Sequence, residues 1–446
     1  MNIGFIFPSS EYLHDPFRGD PHTHFQILTV LESHFGNKHN FSLIDLRGIK
    51  KEFAFLHIPE CDVYLHSVYT LDFNEQVSIV DSLRKVYPKA KHIAGGPHVV
   101  VFQDKCLKVF DSIIVGDGED CIVQAINDLM CLKLKKTYRQ GEDININLYP
   151  YPSRKYLPKA TVVRRGLMTL KDKKYSDLLS CTVIFSRGCP GKCAFCAMPQ
   201  TEIFNNGVRF RDSKLVEAEI EYLKSEYNMQ GISLLDEITF PYSRKIAYSH
   251  LEAIGRTGIV WRGQSRVDNI TPETAKLARE SGCSAIGLGV ESVSQTSLDI
   301  ISKKVSVTKS KEAIYLLKKN GIECRIYLIV GLPGEPDDIV KQTWDFVKET
   351  EPDLVTLSLF TVRPGTEVYN NPGKFGIKST STEWDNTMHM YDRYKKEKPN
   401  ITFEYEEQTA WGKGFNRDRI INNYLELQSR LKEYGFNSAI HPLTSP

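Results

Sequence analysis

The sequence predicts an α/β protein. A doubly wound parallel sheet occupies residues 1–135 and a linker residues 136–180. A partial (βα)6 barrel follows over 181–365, and a small, mostly helical segment closes the chain over 366–446. Two observations carry the prediction. Short apolar runs alternate with 3.6-periodic stretches, once before residue 135 and again after 181, which is the pattern of βαβ units. The runs also end on glycine, hydroxyl or acidic residues, as strands do where their carboxyl ends face a ligand. A chain of 446 residues, 41% hydrophobic and 25% charged, is long enough for two or three ordinary cores.

In the first domain the apolar runs fall at residues 3–7, 41–46, 63–68, 93–94 and 113–115. A helical pattern through Phe25, Leu28 and Leu31 separates the first two. The loops after the last three runs read Ser67-Val68-Tyr69-Thr70, Gly95-Gly96-Pro97-His98 and Gly116-Asp117-Gly118-Glu119. Paired glycines let backbone approach a large flat ligand, and hydroxyls can bond its amide rim. The same glycines also suit plain strand-to-helix turns, and the residues alone leave both readings open. The linker holds Tyr149-Pro150-Tyr151-Pro152, and X-Pro pairs favour extended chain over helix.

In the barrel, runs at residues 182–185, 232–235, 259–261, 285–290, 325–330 and 354–360 alternate with helical patterns at 215–227, 272–280, 311–319 and 340–349. The second run leads to Asp236-Glu237, carboxylates placed to accept from an amino group or ribose hydroxyls. Gln264, Ser265 and Arg266 follow the third run. The fourth ends in Gly289-Val290-Glu291-Ser292, and the fifth in Ile329-Val330-Gly331-Leu332-Pro333-Gly334-Glu335. Taken singly, such a carboxylate is often a helix cap and Gly-Leu-Pro-Gly a turn. Arg266 and Arg325 serve equally well to orient a ligand carboxylate or to pair with Glu291.

After the first barrel run comes Cys189-Pro190-Gly191-Lys192-Cys193-Ala194-Phe195-Cys196. Thiolates suit iron–sulfur clusters, and a [4Fe–4S] cluster normally takes one cysteine per iron. Three cysteines leave one iron open to bind a small chelating molecule and pass it an electron. Zinc competes, but a structural zinc site wants four ligands, and a strand separates Cys181 from the triplet. Buried cysteines that merely pack are the plainest alternative. Three within eight residues, interleaved with Gly and Pro, favour the cluster.

The triplet, with Phe195 before its last cysteine, resembles the radical S-adenosylmethionine (SAM) superfamily. The resemblance implies that Cys189, Cys193 and Cys196 hold the cluster. It also implies that Phe195, Asp236, Glu237, Arg266, Glu291, Ser292, Ile329 and Gly331 meet SAM. The Gly-Gly-Pro-His and Gly-Asp-Gly-Glu loops look like the cobalamin-binding domain that precedes many radical SAM barrels. Ser67, Thr70, Gly95, Gly96, Pro97, His98, Gly116, Gly118 and Glu119 would then meet cobalamin. Asp20-Pro21-His22-Thr23-His24-Phe25 nearly spells the Asp-x-His-x-x-Gly signature of a lower axial ligand, but Phe25 stands in place of Gly. A loop histidine is the preferred reading of His22.

The implied activity is methylation of an unactivated carbon in a small molecule or peptide, by a 5′-deoxyadenosyl radical and methylcobalamin. The implied electron donor is one such as flavodoxin or ferredoxin. Cyclisation or oxidative tailoring with the same cofactors is the runner-up. A methylthiotransferase with a second cluster, using Cys61, Cys106 and Cys121, and a non-catalytic sensor are further alternatives. A net charge of +2 supports no nucleic-acid surface. Scattered cysteines, no signal-peptide pattern and no long apolar run point to the cytoplasm. In the C-terminal segment, helical periodicity is expected over 383–396 and 417–433, with residues 416–431 an amphipathic helix. Tyr405, Trp411 and Phe415 either close a substrate cavity or pack as core, and packing is the favoured reading.

Overall fold

The computed structural model describes the chain except residues 12, 14, 18, 168–172, 198–207, 241–242, 382–400 and 437–446. The expected helix over 383–396 lies outside the described residues. The chain divides into two compact units, one spanning Met1–Val162 and the other beginning at Val163.

The first unit is built on β1 (Asn2–Phe7), β2 (Asn40–Asp45), β3 (Val63–Ser67), β4 (Lys91–Gly95), β5 (Ser112–Val115) and β6 (Thr137–Arg139). They lie in the order β2-β1-β3-β4-β5-β6, every neighbouring pair parallel. Strand alternation divides the core between two faces. Ile3, Phe5, Val63 and Leu65 pack with Leu28, Leu31, Ile122 and Ile126. These come from the helices His22–Phe35 and Glu119–Met130. Ile6 and Tyr64 point the other way, onto Ile79 and Leu83 of the helix Phe73–Val86. The strand order reverses between β1 and β3, which puts ligand-binding potential in the loops at the carboxyl ends.

Two local differences from the sequence reading have simple causes. β6 falls in the expected linker: its residues are Thr-Tyr-Arg, and only Tyr138 is buried, so no apolar run marks it. The chain beyond it packs on the first unit as well, with Ser153 N on Thr29 Oγ1 at 2.9 Å and Tyr156 OH on Glu32 at 2.8 Å. His22 is not in a loop but is the first residue of its helix, directly after Pro21.

The second unit holds β8 (Leu179–Val183), β11 (Gly231–Leu234), β12 (Val260–Arg266), β13 (Cys283–Glu291), β14 (Glu323–Val330) and β15 (Leu354–Leu359). These six parallel strands follow chain order across one sheet, a half-barrel, and β7 (Arg164–Arg165) adds an antiparallel edge. A two-residue ladder, β9 (Ser186–Arg187) with β10 (Arg209–Phe210), stands beside them. Helices Ser213–Tyr227, Arg244–Arg256, Pro272–Glu280, Val307–Lys319 and Ile339–Thr350 cross between strands. β8 stops at Val183, short of residue 185, because the amides of Phe185 and Ser186 bond a side chain, not a strand. β12 runs past residue 261 through Arg262, Gln264 and Arg266, polar residues that an apolar run cannot reveal.

The C-terminal segment carries the expected helix, Arg417–Glu433, with Asn416 as its cap. It also contains β16 (Ile377–Thr380) paired with β17 (Phe403–Tyr405) and a tight pair, β18 (Gln408–Thr409) with β19 (Gly412–Lys413). Tyr405 and Phe415 are buried and meet edge to face at 4.7 Å, which is the core-packing reading. No described helix is long and apolar enough to cross a membrane.

Candidate active site

The cysteine loop is held from four sides. Asp236 Oδ1 accepts from the amides of Phe185 and Ser186, both at 2.7 Å, and Glu237 Oε2 accepts from Gly188 N at 3.2 Å. Ala194 N donates to Ile301 O at 2.8 Å, and Ala194 O accepts from Val368 N at 3.1 Å. Cys193 is buried, Cys189 and Cys196 are partly exposed, and none of the ten cysteines is in a disulfide. Gly191 N lies 3.4 Å from Cys189 Sγ and Arg266 Nη1 3.4 Å from Cys193 Sγ. Burial raises the Cys189 thiol pKa, and the Gly191 amide, Arg266 and Lys303 pull against it. Three thiols, two of them with N–H donors at the sulfur, suit thiolate ligation of iron. Among the described residues no three His, Cys, Asp or Glu side chains converge on one ion. A cubane bound by one thiolate per iron needs no such convergence.

The two carboxylates after β11 are therefore tethers of the loop. Asp236 is buried, whereas Glu237 is partly exposed. Burial pushes Asp236 up to about 7, against the pull of the amides it accepts from. Burial also raises Glu237.

Glu291, at the end of β13, sits at φ 67° and meets Lys303 Nζ at 3.0 Å, with both side chains nearly buried. Neither arginine considered from sequence is its ion-pair partner. Arg266 instead grips Asp268 with two nitrogens, at 3.0 and 2.9 Å, and donates to Lys303 O at 2.9 Å. Glu291, Ser292 and Ile329 line one cavity with Glu335 and Thr343. Ser292 Oγ also accepts from Ser294 N at 3.1 Å. Phe195 is partly exposed beside Cys196. Gly331 has its backbone engaged: N donates to Glu335 Oε1 at 2.8 Å and O accepts from Tyr405 at 2.9 Å. Burial brings Glu335 up to about 7. Lys303 and Asp268 were missed as site residues because each lies in a short connection after a strand or helix, where neither apolar period nor motif singles it out, and Glu335 was read only as the end of the Gly-Leu-Pro-Gly turn.

In the first unit the expected residues gather at the carboxyl ends of β3, β4 and β5. Thr70 Oγ1 lies 3.1 Å from His98 Nδ1, and Ser67 O accepts from Gln76 Nε2 at 3.1 Å. A Cβ on Gly96, at φ 99°, would fall 2.8 Å from Val68 N, so this glycine serves close packing of the two loops. Gly95 has ordinary room around it. Pro97 opens the helix Pro97–Val101. Gly116 accommodates Gln140, whose Oε1 accepts from Asp117 N at 2.5 Å. Gly118 precedes the helix that Glu119, itself buried, begins. Burial lowers His98 to about 4, and its Nε2 is buried without a hydrogen-bond partner.

Beneath these loops runs a polar chain absent from the sequence reading. His92 Nδ1 meets His66 Nε2 at 3.1 Å, and His66 Nδ1 meets Gln76 at 3.0 Å. Gln76 in turn donates to Asp72 at 3.1 Å, and Tyr69 N donates to the same oxygen at 3.0 Å. Burial pushes Asp72 up to about 8. His22 is partly exposed, whereas His24 is buried on Ile6 O at 3.1 Å, and burial lowers it to about 3.

The sequence model of the Radical SAM superfamily matches residues 183–347, the stretch from the end of β8 through most of the helix after β14. Residues 183–347 are thus a radical SAM domain, and the protein is a radical SAM enzyme. Among its relatives is an uncharacterized methyltransferase of Pyrococcus horikoshii, PH0819. It is 25% identical over 358 residues, which are 77% of each chain. The anaerobic magnesium-protoporphyrin IX monomethyl ester cyclase of Rubrivivax gelatinosus is 25% identical over 82% of this chain and 65% of its own. A solved structure of the radical SAM methyltransferase TsrM from Kitasatospora setae, with cobalamin and a [4Fe-4S] cluster bound, has a TM-score of 0.67. It covers 99% of this chain and 89% of TsrM at 14% identity, a likeness of fold.

Proposed function

We propose that the chain is a cobalamin-dependent radical SAM methyltransferase acting on a small molecule or peptide. The observation that carries the reading is one chain holding two things: a tethered three-cysteine loop in a half-barrel, and a β2-β1-β3-β4-β5-β6 sheet with glycine and hydroxyl loops at the carboxyl ends of β3, β4 and β5. When bound, the cofactors supply one-electron cleavage of SAM and a transferable methyl group. Cys189, Cys193 and Cys196 hold the cluster, and Asp236 and Glu237 fix the loop that presents them. Phe195, Arg266, Glu291, Ser292, Ile329 and Gly331 border the SAM position. Ser67, Thr70, Gly95, Pro97, His98, Gly116, Gly118 and Glu119 border the cobalamin position in the first unit, and Gly96 lets their loops approach. The chain's part is to position the reactants and keep water away. Flavodoxin or ferredoxin is the natural kind of electron donor, and the cytoplasm the natural compartment.

A second reading is supported by the cyclase relative: the same cofactors in cyclisation or oxidation without methyl transfer. The test is anaerobic incubation with SAM, dithionite and hydroxocobalamin, so that every transferred methyl comes from SAM, followed by product analysis. Methyl transfer gives S-adenosylhomocysteine together with 5′-deoxyadenosine. If 5′-deoxyadenosine forms alone in the presence of a competent substrate, the second reading takes its place.

A further inference from the structure

Among the basic side chains at the cysteine loop, Arg266 stands out because its guanidinium is fixed in orientation and one nitrogen reaches a cysteine sulfur. Nη1 lies 3.4 Å from Cys193 Sγ. Nε and Nη2 are clamped on Asp268 at 3.0 and 2.9 Å, and Nη2 also donates to Lys303 O at 2.9 Å. The side chain is 9% exposed. Access depends on Gly191, where a Cβ would stand 2.8 Å from Nη1. The second residue after Cys189 is thus a glycine at the point where the guanidinium passes.

We propose that Arg266 sets the reduction potential of the cluster by donating a hydrogen bond to the Cys193 thiolate. Asp268 and the Lys303 carbonyl act as its positioning partners. The proposal rests on the reading that the three cysteines bind a [4Fe–4S] cluster. Reduction adds one electron, taken from an external low-potential donor, and no bond breaks. The reduced cluster carries one more negative charge, part of it on the ligand sulfurs. An N–H donor and a buried cation stabilise that state more than the oxidised one and raise the potential. Because Asp268 offsets much of the guanidinium charge, the directed N–H carries more of the effect than net charge does.

The test is an EPR redox titration of the reconstituted protein without SAM, comparing wild type with Arg266→Gln and Arg266→Lys. Arg266→Gln is expected to shift the reduced-to-oxidised ratio about tenfold toward oxidised at fixed potential, about 59 mV lower for one electron. Arg266→Lys, which keeps the charge but not the fork, should fall between. An unchanged midpoint in a fully loaded Arg266→Gln variant overturns the proposal and leaves the cluster assignment intact. Absence of any cluster in wild type overturns the underlying assignment instead. If the variants do not retain iron, wild type grown on 15N-arginine decides. A 15N hyperfine coupling to the reduced cluster supports the contact, and its absence overturns it.

Discussion

Lys303 Nζ lies 3.0 Å from Glu291 Oε1, with side-chain exposures of 5% and 13%. A Cβ on Gly289 would be 2.6 Å from that oxygen, so the pair fills the space its neighbour leaves empty. Lys303→Met strands a nearly buried carboxylate and is expected to cost about 3–5 kcal/mol in chemical denaturation. The double variant with Glu291→Gln should recover part of that loss, giving a coupling energy of roughly 0.5–3 kcal/mol. Additive losses would mean the two side chains do not interact.

Asp236 accepts from two backbone amides at once. Asp236→Ala leaves both without a partner, at about 1–3 kcal/mol each, and frees the entry to the cysteine loop. Lower iron content after reconstitution is expected, with Asp236→Asn, which keeps the acceptor, close to wild type. Iron retention equal to wild type in Asp236→Ala would show that the tether is dispensable.

Asp72 has a definite pH signature. Burial pushes its carboxyl from the ordinary value of 3.8 up to about 8. The folded state therefore binds its proton more tightly than the unfolded state does. Its contribution is complete below about pH 4 and is lost as pH rises toward 8. Asp72→Asn, which preserves the oxygen facing Tyr69 and Gln76, should become steadily more stable relative to wild type over that range. Parallel stability profiles for the two proteins would contradict the assignment.

Gly96 is a steric requirement of the first unit. Ala at φ 99°, with its Cβ against Val68 N, is expected to cost about 1–3 kcal/mol of strain. It should also separate the Ser67–Thr70 loop from His98. Urea titration reads the stability, and cobalamin retained after gel filtration reads the loop.

Most of the architecture was legible because buried strands announce themselves as apolar runs: all five strands expected before residue 135 and all six barrel strands are present. The cysteine loop was legible because three thiols at fixed spacing have few other uses. Partnerships were not. Asp236 and Glu237 read as ligand acceptors, yet they bond backbone amides about fifty positions earlier in the chain. Lys303 is unremarkable in sequence and becomes a partner of Glu291 only when the turn after the helix Gln295–Ile300 brings it back. β6, with one buried residue in three, lies below what hydrophobic periodicity can signal.

The central claim is most directly tested by counting metals after anaerobic reconstitution with iron, sulfide and cobalamin, with unbound cofactor removed. About four irons and one cobalt per chain are expected, with Cys193→Ala losing the iron and keeping the cobalt. Four irons with no retained cobalt would contradict the account, leaving a radical SAM enzyme whose first unit does not hold cobalamin.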